Sequence, residues 1–199
     1  MLSSISPLGE RARGARWSVV TTAYILSSLL AGTLVGLLLG GLGSLLPDSL
    51  LVHPVVLLTL AALLVLGAVL DTRAGGHAVP SWHRQVDEGW IGTYRGWVTG
   101  TGFGFQLGLG VVTIITSTTT YAVLLLELLT GSWWAGALVG ATFGLVRALP
   151  LLLVRGVQTP QALHDTFRRL TTWAAPVATL ARAVLLLAGA ALTAIALTG

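Results

Sequence analysis

Hydrophobic residues run almost without charge through five long segments of this chain. They extend over residues 17–46, 51–70, 97–130, 133–153 and 172–197. A membrane-spanning helix needs about 20 such residues. The first and third segments are too long. At 1.5 Å per residue they would reach roughly 45–50 Å, against a hydrocarbon core about 30 Å thick. They must tilt, protrude or break. The third is the better candidate for a break, because Gly102 and Gly110 add to its glycine content and a polar run follows.

Within these segments glycine recurs every fourth residue. The ladders are Gly32-Gly36-Gly40, Gly100-Gly104-Gly108 and Gly136-Gly140-Gly144. In water, glycine inside a helix costs roughly 1 kcal/mol relative to alanine. In a bilayer, small residues at i and i+4 form a smooth face that lets two helix backbones approach. The predicted fold is therefore an all-α, polytopic bundle of about five transmembrane helices. The ladders are read as helix-packing surfaces, a glycine zipper in which the first and fourth segments touch.

The segments between the spans add two more elements. Pro80-Ser81-Trp82-His83-Arg84-Gln85-Val86-Asp87 parallels Pro160-Gln161-Ala162-Leu163-His164-Asp165. Proline suits a first helical turn. Leu163, Phe167 and Leu170 share one helical face, and Trp82, Val86 and Trp90 nearly do. Both segments are expected as short amphipathic helices at the membrane interface. Trp17 and Trp97 are 80 residues apart, as are Pro80 and Pro160. This spacing raises the idea of two repeated hairpins and a closing fifth span, by analogy with transporter repeats.

Composition agrees with the pattern. Hydrophobic residues make up 54% of the chain and charged residues 9%, against about 25% charged in soluble domains. Mean hydropathy is +0.87. The domain organisation expected is a cytoplasmic segment over 1–16 and one membrane domain over 17–198. The first apolar stretch is too long for the h-region of a signal peptide and is read as a retained span. Every basic residue is arginine. Together with the Ala, Leu and Gly content, this points to a bacterial source and its inner membrane. Arg11, Arg13 and Arg16 precede the first span. Arg73, Arg84 and Arg95 lie between the second and third, and Arg155, Arg168 and Arg169 between the fourth and fifth. The positive-inside rule then places the N-terminus and all three groups in the cytoplasm. The high pI is explained by this topology, so no nucleic-acid partner is expected. The partners expected are the lipid bilayer and a membrane protein or second copy of the chain.

Candidate chemistry is sparse. There is no cysteine, which removes disulfides, thiol relays and thiolate metal sites. The histidines are His53, His77, His83 and His164. His83 and Asp87 share a face at i, i+4, but two ligands make no metal site, and none is assigned. No cofactor motif appears: Gly102-Phe103-Gly104-Phe105-Gln106-Leu107 follows no strand, so it is not a dinucleotide fingerprint. Without an acid–base constellation, the chain is not expected to be an enzyme.

What stands out is the run Thr113, Thr116, Ser117, Thr118, Thr119, Thr120 and Tyr121, with Gln106 upstream. A broken helix there would expose carbonyls and hydroxyls to a solute. The alternative is that the hydroxyls bond the preceding turn and hide their polarity. Glu127 and Arg147 are the intramembrane charges, functional hypotheses by default. Their alternatives are escape to water at the outer link and snorkelling, respectively. Along straight helices they would differ by about 18 Å in depth; a broken third helix would be needed to unite them. Gln106, the Thr/Ser run, Glu127 and Arg147 are the candidate substrate-binding residues.

The second half also resembles a known family. Gly102-Phe103-Gly104-Phe105 leads into a polar break, then an apolar stretch ending at Gly131-Ser132. The next span carries Gly144-Leu145-Val146-Arg147-Ala148-Leu149-Pro150-Leu151-Leu152-Leu153. This is similar to the membrane domain of the CcdA/DsbD thiol-electron transporters, in the wider LysE-like group, over roughly residues 97 to 198. The resemblance implies six or more spans in inverted halves and a reactive Cys-Pro motif near a broken helix. Thr116 to Thr120 stand where that cysteine would be, so thiol electron transfer does not carry over. What does carry over is a related scaffold for transport or membrane assembly. Two readings follow: a small-solute transporter or exporter-like permease, or a non-catalytic subunit of a larger membrane complex. In the second, the glycine faces and Trp82, Trp90, Trp133, Trp134 and Trp173 would meet partners or lipid.

Overall fold

The computed structural model describes residues 5–73, 94–110, 115 and 117–198. The first expected interfacial helix, His77, His83, Asp87, Thr113 and Thr116 lie outside these residues. The described chain is all α-helical. A short α1 (Pro7–Ala12) precedes α2 (Trp17–Gly43); α3 (Asp48–Leu51) precedes α4 (Pro54–Arg73). After these come α5 (Gly96–Gly108), α6 (Thr119–Leu129), α7 (Trp133–Ala148, extended by a 3-10 turn over Leu149–Val154) and α8 (Pro160–Thr198).

Local chemistry explains the boundaries. Ser6 accepts a hydrogen bond from the Gly9 N–H at 3.2 Å and Pro7 opens α1. The His53 ring accepts from the Val55 N–H at 3.3 Å ahead of Pro54. Thr159 accepts from the Ala162 N–H at 3.2 Å ahead of Pro160. Each is a side-chain cap with proline in the first turn, where its missing N–H costs nothing. Gly131, at φ +55°, turns α6 directly into α7 through a left-handed conformation that glycine adopts without strain.

Among the described residues, four helices are long and apolar enough to cross a membrane: α2, α4, α7 with its extension, and α8. The third apolar segment is instead two shorter helices, α5 and α6. The first segment is unbroken: the 27 residues of α2 reach about 40 Å. The last element differs from the sequence expectation. Pro160–Leu170 is not a separate interfacial helix but the start of the 39-residue α8. Nothing between Leu170 and Ala175 breaks a helix. The Thr171 and Thr172 hydroxyls donate back to the Arg168 and Arg169 carbonyls, both at 2.7 Å. Pro176 removes a backbone donor and crowds the Thr172 carbonyl, and the helix runs on through it.

Burial is inverted relative to a soluble protein. Along α2 the buried positions are mostly small, including Ser28, Ala31, Gly32, Gly36 and Gly40, while Leu26, Leu30, Leu34 and Leu38 are exposed. Hydrocarbon solvates leucine well, so large side chains face lipid and small ones face helices. The chain is an all-α membrane helix bundle in contact with the bilayer.

Two groups of helices result. α2 packs along α7 on one side and α5 on the other, while α4 packs mainly with α8. α6 touches α2, α7 and α8 and joins the groups. At the α2–α7 seam, a Cβ on Gly32 would lie 2.2 Å from the Gly140 carbonyl oxygen. One on Gly36 would lie 2.0 Å from that of Gly136, and one on Gly144 2.3 Å from that of Ser28. On the α5 side, a Cβ on Gly100, Gly104 or Gly108 would lie 2.6, 2.1 or 2.2 Å from the carbonyl oxygens of Val20, Tyr24 and Ser28. Gly40 meets Ser132 in the same way, at 2.4 Å.

Candidate functional site

The interruption of the third segment is built by glycine and held by two charged residues from other helices. α5 stops as the Leu109 and Gly110 N–H groups donate back to the Phe105 and Leu107 carbonyls. Gly110 has φ +76°. A Cβ there would lie 3.1 Å from the Phe143 ring, 3.5 Å from the Thr120 methyl and 3.6 Å from an Arg147 guanidinium nitrogen. The end of α5, the start of α6 and the face of α7 therefore converge at this glycine. Arg147 donates to the Gly110 carbonyl at 3.4 Å and its guanidinium sits 5.2 Å from the Phe143 ring centre, within cation–π range. Arg147 is half-buried and faces the break.

On the other flank the start of α6 is capped from outside its own chain segment. Asp71, in the last turn of α4, accepts from the Thr118 N–H at 3.0 Å and from the Ser117 hydroxyl at 2.7 Å. Ser117 Oγ in turn accepts from the Thr119 N–H at 3.2 Å, and it shares a hydrogen bond with the Thr119 hydroxyl. A carboxylate at a helix N-terminus satisfies orphan N–H groups and meets the positive end of the helix dipole. Thr118 packs on Gly67 of α4, where a Cβ would lie 2.9 Å from its hydroxyl oxygen. That hydroxyl is buried without a hydrogen-bond partner. Thr119 also borders an apolar cavity of about 320 Å³ between α4, α6 and α8, lined by residues such as Leu60, Leu64, Ala122, Leu126, Val184 and Ala188.

Ser117, Thr118, Thr119 and Thr120 are thus gathered at the break, with Arg147 across from them. Gln106 lies half-buried one turn before it on α5. Glu127 is elsewhere: it lies two turns along α6, 1% exposed, with its Oε1 3.1 Å from the Cβ position of Gly140. The break does not join it to Arg147, and both its carboxylate oxygens are buried without a hydrogen-bond partner. Nor does it reach water at the nearby link.

The sequence reading missed Asp71 and Ser28. Asp71 was visible as an acid directly following the apolar run that ends at Leu70. Ser28 falls four residues before Gly32, extending that ladder by one rung, and its hydroxyl donates to the Gly144 carbonyl at 2.8 Å. A second polar pocket, about 310 Å³, lies at the α1 end of the bundle between Glu10, Arg13, Tyr94, Arg95 and Thr99. Glu10 is 2% exposed and paired with Arg13.

Among the described residues no three His, Asp or Glu side chains group as metal ligands. What converges at the break is a carboxylate, several hydroxyls and a guanidinium. That set recognises polar or charged groups by hydrogen bonding.

Comparison with known proteins places this architecture. No curated protein and no solved structure matches the chain. One family does, over residues 2–190: the cytochrome C biogenesis protein transmembrane region. The match takes in the first two spans as well as the half from residue 97 onward. With nearly the whole chain covered, including α2, the break and α7, this protein belongs to the family of the cytochrome C biogenesis protein transmembrane region.

Proposed function

We propose that the chain is a permease for a small polar solute in a bacterial inner membrane, with its N-terminus in the cytoplasm. It carries out no covalent chemistry of its own. With no cysteine, it has no thiolate to enter thiol–disulfide exchange. The observation that carries the reading is the interrupted third span with Asp71 at its restart. Non-helical backbone at membrane depth is costly unless it lines a cavity or is buried in protein. Here it sits where two helix groups meet, beside the α4–α6–α8 cavity, the arrangement in which transporters place their sites. Rocking of the α4–α8 pair against the α2 group would open the break to either side.

The test is solute-dependent stabilisation of the purified protein across a panel of small solutes, followed by flux in proteoliposomes. A solute that raises the melting temperature of wild type should lose that effect in Thr118→Val and Gln106→Leu, with both variants folded. A different outcome supports a non-catalytic membrane subunit. If no solute stabilises the protein, and a membrane protein co-purifies with wild type but not with Trp134→Ala, transport is abandoned. The feature favouring that reading is α8, about 58 Å long at 1.5 Å per residue, whose first turns carry exposed His164, Arg168 and Arg169 beyond any single bilayer's need.

A further inference from the structure

Glu127 is the least expected side chain in the bundle. It sits on the short apolar α6, almost wholly buried, and neither carboxylate oxygen has a hydrogen-bond partner. Its surroundings are specific. Oε1 lies 3.1 Å, and the Gly32 carbonyl oxygen 2.0 Å, from the single point that a Cβ on Gly140 would occupy. The Gly32 carbonyl oxygen and the carboxyl group therefore close on the same point of the seam, and no donor reaches either carboxylate oxygen. An ionised carboxylate only accepts hydrogen bonds, so that carbonyl offers it nothing. A protonated carboxyl donates one, and a carbonyl is its complement.

The other charged and titratable groups on the surrounding helices do not compensate Glu127. On α7, Arg147 is two turns further along, about 10 Å by helix rise, and is engaged with Gly110 and Phe143. On α4, Asp71 is committed to the start of α6. On α8, Arg182 is half-buried and bonded within its own helix to Ala178 and Thr179. On α2, Tyr24 lies two turns from Gly32 toward the α1 end, and on α6 itself Tyr121 lies near the break. An unpaired charge buried in a low-dielectric bundle carries a large penalty, and such groups neutralise instead.

We infer that Glu127 is a proton-binding site set into the α2–α7 glycine seam, and that its proton exchange is coupled to solute movement. The coupling half of this rests on the permease reading above; the proton site does not. The step is a reversible transfer: when the seam loosens at the Gly131–Ser132 end, an O–H bond of hydronium breaks as the carboxyl O–H forms, leaving water, and the next opening reverses the exchange. The glycine faces serve this exchange because they let α2, α6 and α7 close around the neutral acid with no side chain between them.

Infrared difference spectroscopy of the lipid-reconstituted full chain tests the site. At neutral pH, wild type should show the carbonyl stretch of a protonated carboxylic acid, shifted by ¹³C-glutamate labelling. The band should vanish in Glu127→Gln and persist in Glu10→Gln, because Glu10 is paired with Arg13. If Glu127→Gln does not fold, a ¹³C-shifted band that persists in the double variant Glu10→Gln, Glu88→Gln leaves Glu127 as its source, and loss of the band there overturns the site. Absence of a glutamate-derived band overturns the site. So does a sodium-dependent rise in melting temperature that Glu127→Gln abolishes, which would assign a metal cation instead. Coupling is read separately. For a solute found by stabilisation, an imposed pH gradient should accelerate flux severalfold in wild type and not in Glu127→Gln. Flux indifferent to the gradient, with the band present, overturns coupling alone. Absence of any transported solute removes the permease reading and leaves the proton site standing.

Discussion

The α2–α5–α7 group and the α4–α8 pair are made of the same apolar residues and hold together in different ways. In the first, helix backbones touch: a Cβ at Gly36 or Gly140 would stand 2.0 Å from a carbonyl oxygen on the facing helix. In the second, the corresponding position is Gly189, whose Cβ would lie 3.3 Å from the Ala61 carbonyl oxygen, close to ordinary contact. A cavity of about 320 Å³ opens beside it. Close approach maximises dispersion, which replaces the hydrophobic effect as the force between helices in lipid. The first group is therefore built as a frame. The second, tied at Asp71, is packed more loosely.

The largest expected effect is at the seam. Gly36→Ala and Gly140→Ala should each destabilise the folded protein by roughly 3 kcal/mol or more, since overpacking against backbone cannot be relieved by a rotamer change. Thermal unfolding in detergent, or loss of the monodisperse peak, reads this. Gly189→Ala should cost well under 1 kcal/mol, as its added methyl needs only a small adjustment. Equal losses at Gly36 and Gly189 would dissolve the contrast.

The tie between the groups comes next. Asp71→Asn keeps the size of the side chain but removes its charge and one acceptor oxygen. It should lower stability by about 1 kcal/mol, in the range of a lost helix cap, and cut solute flux more than proportionately. If flux is unchanged in a destabilised protein, Asp71 is a structural cap and nothing more. Filling the cavity separates movement from stability. Ala188→Leu should leave the melting temperature within a few degrees of wild type while slowing flux. Unaltered flux would place the moving surface elsewhere. The smallest effect is at Gly41, which has nothing within 4 Å of its Cβ position. Gly41→Ala should be neutral or stabilising by up to roughly 1 kcal/mol, a control for glycine substitution as such.

Much of the site's neighbourhood is local in the chain, and that part is readable from it. The polar run from Ser117 to Thr120 and the glycine at 110 mark where a helix cannot continue comfortably, because hydroxyls and a left-handed turn both compete with helical hydrogen bonding. The partner that completes the restart is not local. Asp71 is 46 residues before Ser117, and only the tertiary fold brings the end of α4 to the start of α6. Arg147 is similar: its position near the inner end of a span suggests snorkelling, yet Phe143 and the Gly110 carbonyl draw it into the bundle. The segment at Pro160 shows the reverse error. Its amphipathic face suggests a separate element, but without a breaker near Leu170 the helix simply continues.

From the sequence alone follows that this is a membrane helix bundle. Hydropathy, charge distribution and four-residue glycine spacing are properties of the chain itself, and the bilayer acts on each segment separately. The tertiary structure decided which helices share the glycine faces, that Asp71 caps α6 from α4, and that Glu127 is buried against the glycine seam rather than in water. Those facts depend on distances between residues far apart in the chain, and no local pattern encodes them.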